Sequence, residues 1–252
     1  MIDLHCHIIP NVDDGSASLE ESIDIAKEAK EAGFTGIFCT SHFTDELFIE
    51  KEDYDALLNK LRVDLKDVGV SLYSGNEVFI SYDIMDWIKN NRFQTLNGSR
   101  YILMELAISA KSASYLNDLV DDVTRRGFVP IIAHPERYGF VQDNPNSLLE
   151  LIDTGALFQS NYGSFVGVYG KLVQKTASIL LKNNMVHFLA TDNHRKETIY
   201  KRMDDIIHKV KKMIHDETFE ILSTINPGLV VKNKNVYTFQ PKAHKRFFSL
   251  GV

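Results

Sequence analysis

The sequence predicts an α/β protein in which helices cover a parallel sheet, and two observations carry that prediction. Apolar strand-like runs alternate with amphipathic helical runs seven times, with a repeat of roughly 30 residues, the size of one βα unit. The 252 residues suit either two small domains or one βα barrel, and no linker rich in Pro, Gly or Ser divides them. We therefore predict one barrel domain at residues 1–225, followed by a C-terminal extension, 226–252, with a partly flexible tail.

The predicted strands are short apolar runs that stop at a polar residue. They cover 3–7, 36–40, 70–75, 101–104, 128–133, 156–159 and 186–190. The predicted helices have apolar residues three and four positions apart. The first helix should start after Ser18, which opens a Ser-x-x-Glu capping box, and stop at Gly33. The main later helices are expected near 51–67, 116–127, 171–183, 199–213 and 217–224.

Composition narrows the range of functions. The chain is 44% hydrophobic and has a formal net charge of −6, whereas a general nucleic-acid surface needs an excess of Lys and Arg. No apolar run approaches the ~20 residues that cross a bilayer. The first residues lack the basic and then apolar pattern of a signal peptide, so we expect a cytoplasmic protein.

The two cysteines, Cys6 and Cys39, lie in apolar runs and are expected to be buried free thiols. A cysteine-based phosphatase needs an arginine six residues after its nucleophile, and this chain has Val12 and Asp45 at those positions. The sequence therefore argues against a thiol nucleophile.

Two histidines separated by one residue, His5 and His7, should point to the same side of the first strand, with Cys6 on the other side. Imidazoles are poor core material because each ring has a polar nitrogen that needs a partner, but they suit a divalent metal. Such a pair alone also occurs as a surface accident or as a hydrogen-bonded pair.

Further candidate ligands stand where six of the seven predicted strands end, and strand ends of a parallel barrel open on one face. Together the candidates are His5, His7, His42, Glu77, Glu105, His134, Asp192 and His194. The sixth strand offers only Gln159 and Asn161. Because one ion takes three or four protein ligands, the set suits two or three ions, and imidazole with carboxylate favours manganese, iron or zinc. Two such ions supply a nucleophile near neutral pH and bind two phosphate oxygens.

Arg137 follows His134 by three residues, at the same predicted strand end. A guanidinium there would bind phosphate oxygens as negative charge redistributes in the transition state. A surface arginine on a loop is the alternative.

Motifs over almost the whole chain resemble the PHP (polymerase and histidinol phosphatase) superfamily. Within it, they are similar to the manganese-dependent tyrosine phosphatases of Gram-positive capsule and exopolysaccharide loci. The matching stretches are 1–10, 12–15, 40–42, 75–77, 96–105, 130–137, 163–164, 170–171 and 190–194.

The resemblance implies a distorted (βα)7 TIM-like barrel of the PHP type, with its active site at the C-terminal ends of the strands. It implies two or three Mn²⁺ ions, with iron or zinc as alternatives, and Arg137 as the phosphate-binding arginine. The implied ligand groups are His5, His7, Glu77 and Asp192 for one ion, Glu77, Glu105 and His134 for a second, and His42, His194 and Asp14 for a third.

One position departs from the family pattern. Where an arginine is expected after Asp192-Asn193-His194, the chain has Ile199. Either Arg195 or Arg202 supplies that contact, or the contact is weakened and Arg137 acts alone. Arg202 is slightly favoured over Arg195 because it lies beside the apolar face of the predicted helix.

The implied activity is hydrolysis of phosphotyrosine on the flexible tail of a cytoplasmic bacterial tyrosine kinase, which would regulate capsule or exopolysaccharide synthesis near the membrane. A phenol leaving group with a pKa near 10 needs little proton donation. Two alternatives remain: a phosphoesterase acting on a small molecule such as histidinol phosphate, and a catalytically weak module that binds the kinase tail. The oligomeric state stays open, as does the basic and aromatic tail, which is either solvated or bound to a subunit, the kinase or the membrane.

Overall fold

The structure is a computed structural model in which residues 1–110 and 114–245 are described. Its centre is a seven-stranded parallel sheet with the strands in sequence order. The strands are β1 (Ile2–Cys6), β2 (Gly36–Phe43), β3 (Ser71–Phe79), β4 (Tyr101–Glu105), β5 (Val129–Ala133), β6 (Leu157–Asn161) and β7 (Phe188–Ala190).

The two edges of the sheet meet at the ends of β7 and β1. Cys6 forms an isolated parallel bridge with Asn193, and the His7 N–H donates to the Asn193 carbonyl at 2.9 Å. The Asp192 N–H donates to the His5 carbonyl at the same distance of 2.9 Å. The sheet is therefore a nearly closed barrel of seven parallel strands, which confirms the predicted fold class.

Helices connect and cover the strands. They are α1 (Leu19–Glu31), α2 (Lys51–Asp64), α3 (Ile84–Lys89), α4 (Ser114–Arg125), α5 (Gly139–Asp143), α6 (Leu148–Thr154), α7 (Tyr162–Phe165), α8 (Lys171–Lys182), α9 (Met203–Lys211), α10 (Asp216–Glu220) and α11 (Asn226–Val231). The Ser18 hydroxyl accepts from the Glu21 N–H at 3.2 Å, as the capping box predicts. None of the described helices is both long and apolar enough to span a membrane.

The barrel interior is apolar through its lower part, toward the N-terminal ends of the strands, and polar at the C-terminal ends of the strands. Its apolar layer consists of residues that alternate along the strands and face inward, among them Leu4, Phe38, Tyr101, Leu103, Ile131, Leu157 and Phe188. Continuing the same alternation toward the C-terminal strand ends brings His42, Glu77 and Glu105 inward. The apolar layer thus fills the barrel, and polar side chains are confined to its C-terminal end.

Two strands are longer than predicted. β2 and β3 continue past the first polar side chains, with His42 opposite Glu77 and Phe43 opposite Val78. The outward-facing Phe43 and Val78 are buried in the outer core, so packing sustains the strands while the inward-facing positions become polar. Ending a strand at its first polar residue was therefore wrong here.

The predicted boundary at residue 225 falls inside a continuous helical run, because α11 follows directly on the π-helical turn Ile221–Ile225. Val230, on α11, is fully buried in the inner core with Leu4 and Phe38. The following chain also contacts the barrel, since the Lys242 N–H donates to the Asn183 carbonyl at 2.9 Å. The last part of the predicted tail, 246–252, lies outside the described residues.

Candidate metal centre

Glu77 is the central carboxylate of a cluster of histidines and acids at the C-terminal end of the barrel. Its Oε1 lies 3.3 Å from His5 Nε2 and 3.0 Å from His134 Nε2. Its Oε2 lies 3.0 Å from His42 Nδ1 and 3.4 Å from His7 Nε2. One fully buried carboxylate thus faces four imidazoles, as expected of a group shared between ions.

The remaining predicted ligands join the same cluster. Asp14 Oδ1 lies 3.4 Å from His42 Nε2 and 3.3 Å from His194 Nε2. Asp192 Oδ1 lies 3.5 Å from His194 Nδ1, and Glu105 Oε2 lies 3.7 Å from His42 Nδ1. The structure therefore brings all nine predicted metal ligands together.

Three groups within the cluster have ligand atoms close enough to share an ion, all within 4.8 Å of one another. They are His7, Asp14, His42 and His194; His5, His7 and Glu77; and His42, Glu77 and Glu105. His42 belongs to two of these groups because its two ring nitrogens face different carboxylates, Asp14 and Glu77. The family pattern placed His42 in one group only.

A β-bulge sets the direction of His5 and His7. Asp3 pairs with Ile37 and Cys6 with Cys39, so β1 has one more residue than β2 between the two pairs. The extra residue reverses the alternation. Leu4 consequently packs in the inner core, Cys6 packs in the outer core, and His5 and His7 both face the cluster.

Two ligands have left-handed backbone conformations, which are uncommon for residues other than glycine. His134 has φ 34°, and Asp192 has φ 53°. Ala133 faces the inner core, so regular alternation would direct His134 outward. Because the chain turns there, the imidazole instead comes within 3.0 Å of Glu77. Such backbone strain is typical of functional sites.

A directed chain of hydrogen bonds fixes the tautomer of His5. The Asp192 carboxylate accepts from Asn161 Nδ2 at 2.7 Å, and Asn161 Oδ1 accepts from Gln159 Nε2 at 2.7 Å. The Gln159 oxygen is left to accept from His5 Nδ1, 3.0 Å away. His5 Nε2 must then present its lone pair to Glu77 and the rest of the cluster.

Asp13 fixes the tautomer of His7 in a similar way, and this role was not predicted from the sequence. Its Oδ2 accepts from His7 Nδ1 at 2.8 Å, while its two oxygens also accept from the His42 and Gly15 backbone N–H groups. Burial alone would raise the pKa of Asp13, but His7 and these hydrogen bonds outweigh it and lower the pKa to about 2. The only sequence signal was its place beside Asp14.

The donor set fits a divalent cation. With both Nδ1 atoms donating, the Nε2 lone pairs of His5 and His7 face each other at 3.1 Å, an arrangement that needs a positive charge between them. Two carboxylates, those of Glu77 and Asp192, lie beside this point. Imidazole nitrogens with carboxylate oxygens are the ligands preferred by manganese, iron and zinc.

Electrostatics support the same conclusion. Burial lowers the pKa of His5, but the charges of Glu77 and Asp192 outweigh burial and raise it to about 9. Burial raises the pKa of Glu77, yet His5, His134 and His42 hold it well below its usual range. The cluster thus carries a negative field that stabilises positive charge at its centre, and a metal ion would benefit from it as an imidazolium does.

Comparison with known proteins places the chain in a family. Residues 1–232 match the family model described as "Capsular polysaccharide synthesis, CpsB/CapC". The chain belongs to the CpsB/CapC family. It is 31% identical over 251 residues to the tyrosine-protein phosphatase YwqE of Bacillus subtilis (strain 168), covering 98% of this chain and 97% of YwqE.

Solved structures agree with this assignment. One, described as YwqE from Bacillus subtilis and CpsB from Streptococcus pneumoniae, unique metal-dependent tyrosine phosphatases, matches with a TM-score of 0.90. That match is 29% identical and covers 98% of this chain and 100% of the other. A histidinol phosphate phosphatase from Lactococcus lactis matches with a TM-score of 0.55 at 16% identity, covering 84% and 93%. This second likeness shows the fold alone.

Arg137 is the predicted arginine that the structure brings to the centre. Its Nη1 donates to Asp192 Oδ2 at 3.2 Å, and its guanidinium lies 4.8 Å from the centroid of the Tyr169 ring. Tyr169, from the loop before α8, was not recognised from the sequence, which gives no sign that it would stack beneath Arg137.

Arg195 and Arg202 are not brought to the centre. The Arg195 guanidinium bonds to Glu21 on α1 at 3.2 Å, because that helix presents a carboxylate beside it. Arg202 is exposed and makes no ion pair or hydrogen bond with the cluster in the described part of the chain. Ile199, where the family pattern has arginine, is buried against Gly163. In this structure neither Arg195 nor Arg202 takes the place of the family arginine at the centre.

The cysteines lie outside the centre's chemistry. Cys6 and Cys39 are fully buried, and burial raises the pKa of Cys39 to about 12 and that of Cys6 well above its usual value. A thiol held in its neutral form is a poor nucleophile. This agrees with the exclusion of cysteine catalysis from the sequence.

Proposed function

We propose that this CpsB/CapC family protein is a metal-dependent phosphatase that hydrolyses phosphotyrosine on a protein substrate. The observation that carries the proposal is the convergence of nine histidine and carboxylate ligands, with Glu77 at their centre and Arg137 at their edge. The description of YwqE as a tyrosine-protein phosphatase supports the substrate class.

Two or three manganese ions are proposed to bind the cluster, held by His5, His7, Asp14, His42, Glu77, Glu105, His134, Asp192 and His194. When bound, such ions supply Lewis-acid stabilisation of phosphate oxygens and a nucleophilic water near neutral pH. Asp13 and Gln159 orient His7 and His5 for this purpose, each accepting a hydrogen bond from the Nδ1–H of its histidine.

Arg137 is proposed to bind the phosphate oxygens. Its guanidinium is partly buried, with the side chain 22% exposed, and Asp192 and the Tyr169 ring hold it in place. A fixed guanidinium donates to the developing negative charge without first reorganising. Because the tyrosine phenol leaves readily, no strong general acid is needed.

The biological substrate is proposed to be the phosphotyrosine tail of a cytoplasmic bacterial tyrosine kinase, which would place the protein near the membrane through that kinase. The family description, capsular polysaccharide synthesis, supports regulation of capsule or exopolysaccharide production. The proposed location is the cytoplasm.

Metal removal tests the proposal. Chelation should abolish turnover of a phosphotyrosine peptide, and Mn²⁺ should restore it, while L-histidinol phosphate should remain a poor substrate. His134→Ala should bind less metal. Arg137→Ala should keep its metal and lose roughly 10²–10³-fold in kcat, the cost of one charge-stabilising donor. Full activity in metal-free protein, or equal metal loss in the two variants, would contradict these assignments.

A catalytically weak binding module is the second candidate, and Ile199 in place of the family arginine is the observation that favours it. Metal-loaded protein that binds the phosphopeptide but does not turn it over would support that candidate. Cys6→Ala and Cys39→Ala should leave turnover unchanged in either case, since both thiols pack in the outer core and neither faces the cluster.

A further inference from the structure

Exposed large apolar side chains are concentrated on the face of the barrel that carries the cluster. Of ten such side chains among the described residues, seven lie in the connections that follow strands or in the first turn of the longer helices to which these connections lead. We call these seven the apolar rim: Leu47, Phe48, Tyr82, Ile108, Tyr115, Val168 and Leu172.

The rim arises from four separate connections, those after β2, β3, β4 and β6. The other three exposed apolar residues are Val63, near the end of α2, together with Ile225 and Tyr237, near α11. Apolar groups around an acidic, histidine-rich centre contribute nothing to metal binding. Exposed apolar side chains gathered on one face typically mark a surface that contacts another molecule.

One part of the rim borders a cavity. Phe43, Phe48, Trp87 and Arg92 help to line a volume of about 220 Å³ beside the end of β2. The Arg92 guanidinium lies 5.4 Å from the Phe48 ring centroid and pairs with Glu50 at 3.1 Å, which holds Phe48 as a wall of the cavity. Phe43 directly follows the ligand His42 but faces the outer core, so the cavity lies on the outer side of β2, next to the strand end that carries His42.

We propose that the apolar rim binds the polypeptide on both sides of the phosphotyrosine, and that the cavity beside Phe48 receives an apolar or aromatic side chain of that polypeptide. The inference rests on the proposed function and extends it. A phosphotyrosine that reaches Glu77 and Arg137 enters through the C-terminal opening of the barrel, so its flanking residues must cross the rim. A small phosphate ester would leave the rim uncovered.

Rim variants separate this role from catalysis. Phe48→Ser and Tyr82→Ser should each raise KM about tenfold for a phosphotyrosine peptide with apolar neighbours, the loss expected for an interface anchor. Turnover of p-nitrophenyl phosphate should not change. Val63→Ser is the matched control, because its side chain is 66% exposed at the opposite end of the barrel, and both substrates should be unaffected.

Binding of the same peptide with a non-hydrolysable difluoromethylphosphonate in place of the phosphate, measured by fluorescence polarisation on metal-loaded protein, completes the test. An equal loss of both activities, or no loss of peptide binding in either variant, would overturn the rim proposal. Weaker analogue binding in the rim variants, with no turnover by the wild type, would uphold the rim and overturn the proposed phosphatase function.

Discussion

At the scale of single residues, the metal ligands depend on neighbours that are not ligands themselves. Gln159 stands where a ligand was sought on the sixth strand, and it instead accepts from His5 Nδ1 at 3.0 Å. Its orientation is imposed by Asn161, which donates to the Asp192 carboxylate. A ligand at one end of the chain of hydrogen bonds therefore sets the tautomer of a ligand at the other end.

Replacing Gln159 should weaken metal binding without unfolding the barrel. Gln159→Met removes the acceptor for His5 Nδ1, so the ring loses its preferred tautomer and orientation. Metal affinity, measured by competition with a chelator, should fall roughly 10–100-fold. Ser160→Ala is the control: this neighbour faces the other side of β6, its buried hydroxyl has no hydrogen-bond partner among the described residues, and its loss should leave affinity unchanged. Equal metal affinities for both variants would show that the hydrogen-bond chain through Gln159 does not orient His5.

The ligands were predictable because each is a histidine or acid at a strand end, and parallel strands place such residues on one face. The roles of Gln159 and Asp13 were not, because amide and acid side chains at those positions have many uses. Their meaning comes from contacts such as that between β6 and β1, 154 residues apart. Arg195 shows the converse. It directly follows the ligand His194 in sequence, but its guanidinium donates to the Glu21 carboxylate instead of reaching the cluster.

At the scale of elements, the loop after β1 is fitted closely to His7. Gly15 is buried beneath that residue, and a Cβ added there would lie against the His7 carbonyl and 2.5 Å from His7 Cβ. Its N–H also donates to Asp13, which orients the His7 ring. Only a residue without a side chain permits this close approach.

Gly15→Ala should therefore displace His7 and reduce the number of ions bound per chain, while the circular dichroism spectrum stays native. Gly139→Ala is the matched control, because its added methyl would meet nothing closer than the Ala110 carbonyl, at 3.7 Å. Metal analysis of both purified variants gives the comparison. Full metal content in Gly15→Ala would mean that the loop moves without disturbing His7.

Whether a segment is a helix or a strand was predictable from the spacing of its apolar residues, whereas two features of the strands were not predictable. The bulge in β1 leaves no mark in an alternating pattern, because Leu4 and Cys6 are both apolar although they face different cores. The extension of β3 through Glu77 is likewise hidden, since an acid that follows an apolar run marks a strand end in the sequence even where it is a metal ligand inside the strand.

At the scale of the whole molecule, the apolar interior of the barrel is covered by a part of the chain that we predicted to belong to the C-terminal extension, 226–252. α11 brings Val230 into the inner core, and Asn226 donates through Nδ2 to the His187 and Tyr237 carbonyls, both at 2.9 Å. The family match ends at residue 232, just beyond this helix. Through these contacts α11 packs against the barrel, and we propose that it stabilises the domain.

Val230→Ala measures that contribution. The variant should lose roughly 1–3 kcal/mol of unfolding free energy, because it removes two methyl groups from a fully buried site and leaves a cavity. Val63→Ala makes the same chemical change at a side chain that is 66% exposed, and should shift stability by less than about 0.5 kcal/mol. Urea denaturation of metal-loaded protein, with the slope m compared between variants, gives both values. If the two substitutions prove equally mild, α11 lies on the barrel without supporting it, and the shorter domain ending at residue 225 would be the better description.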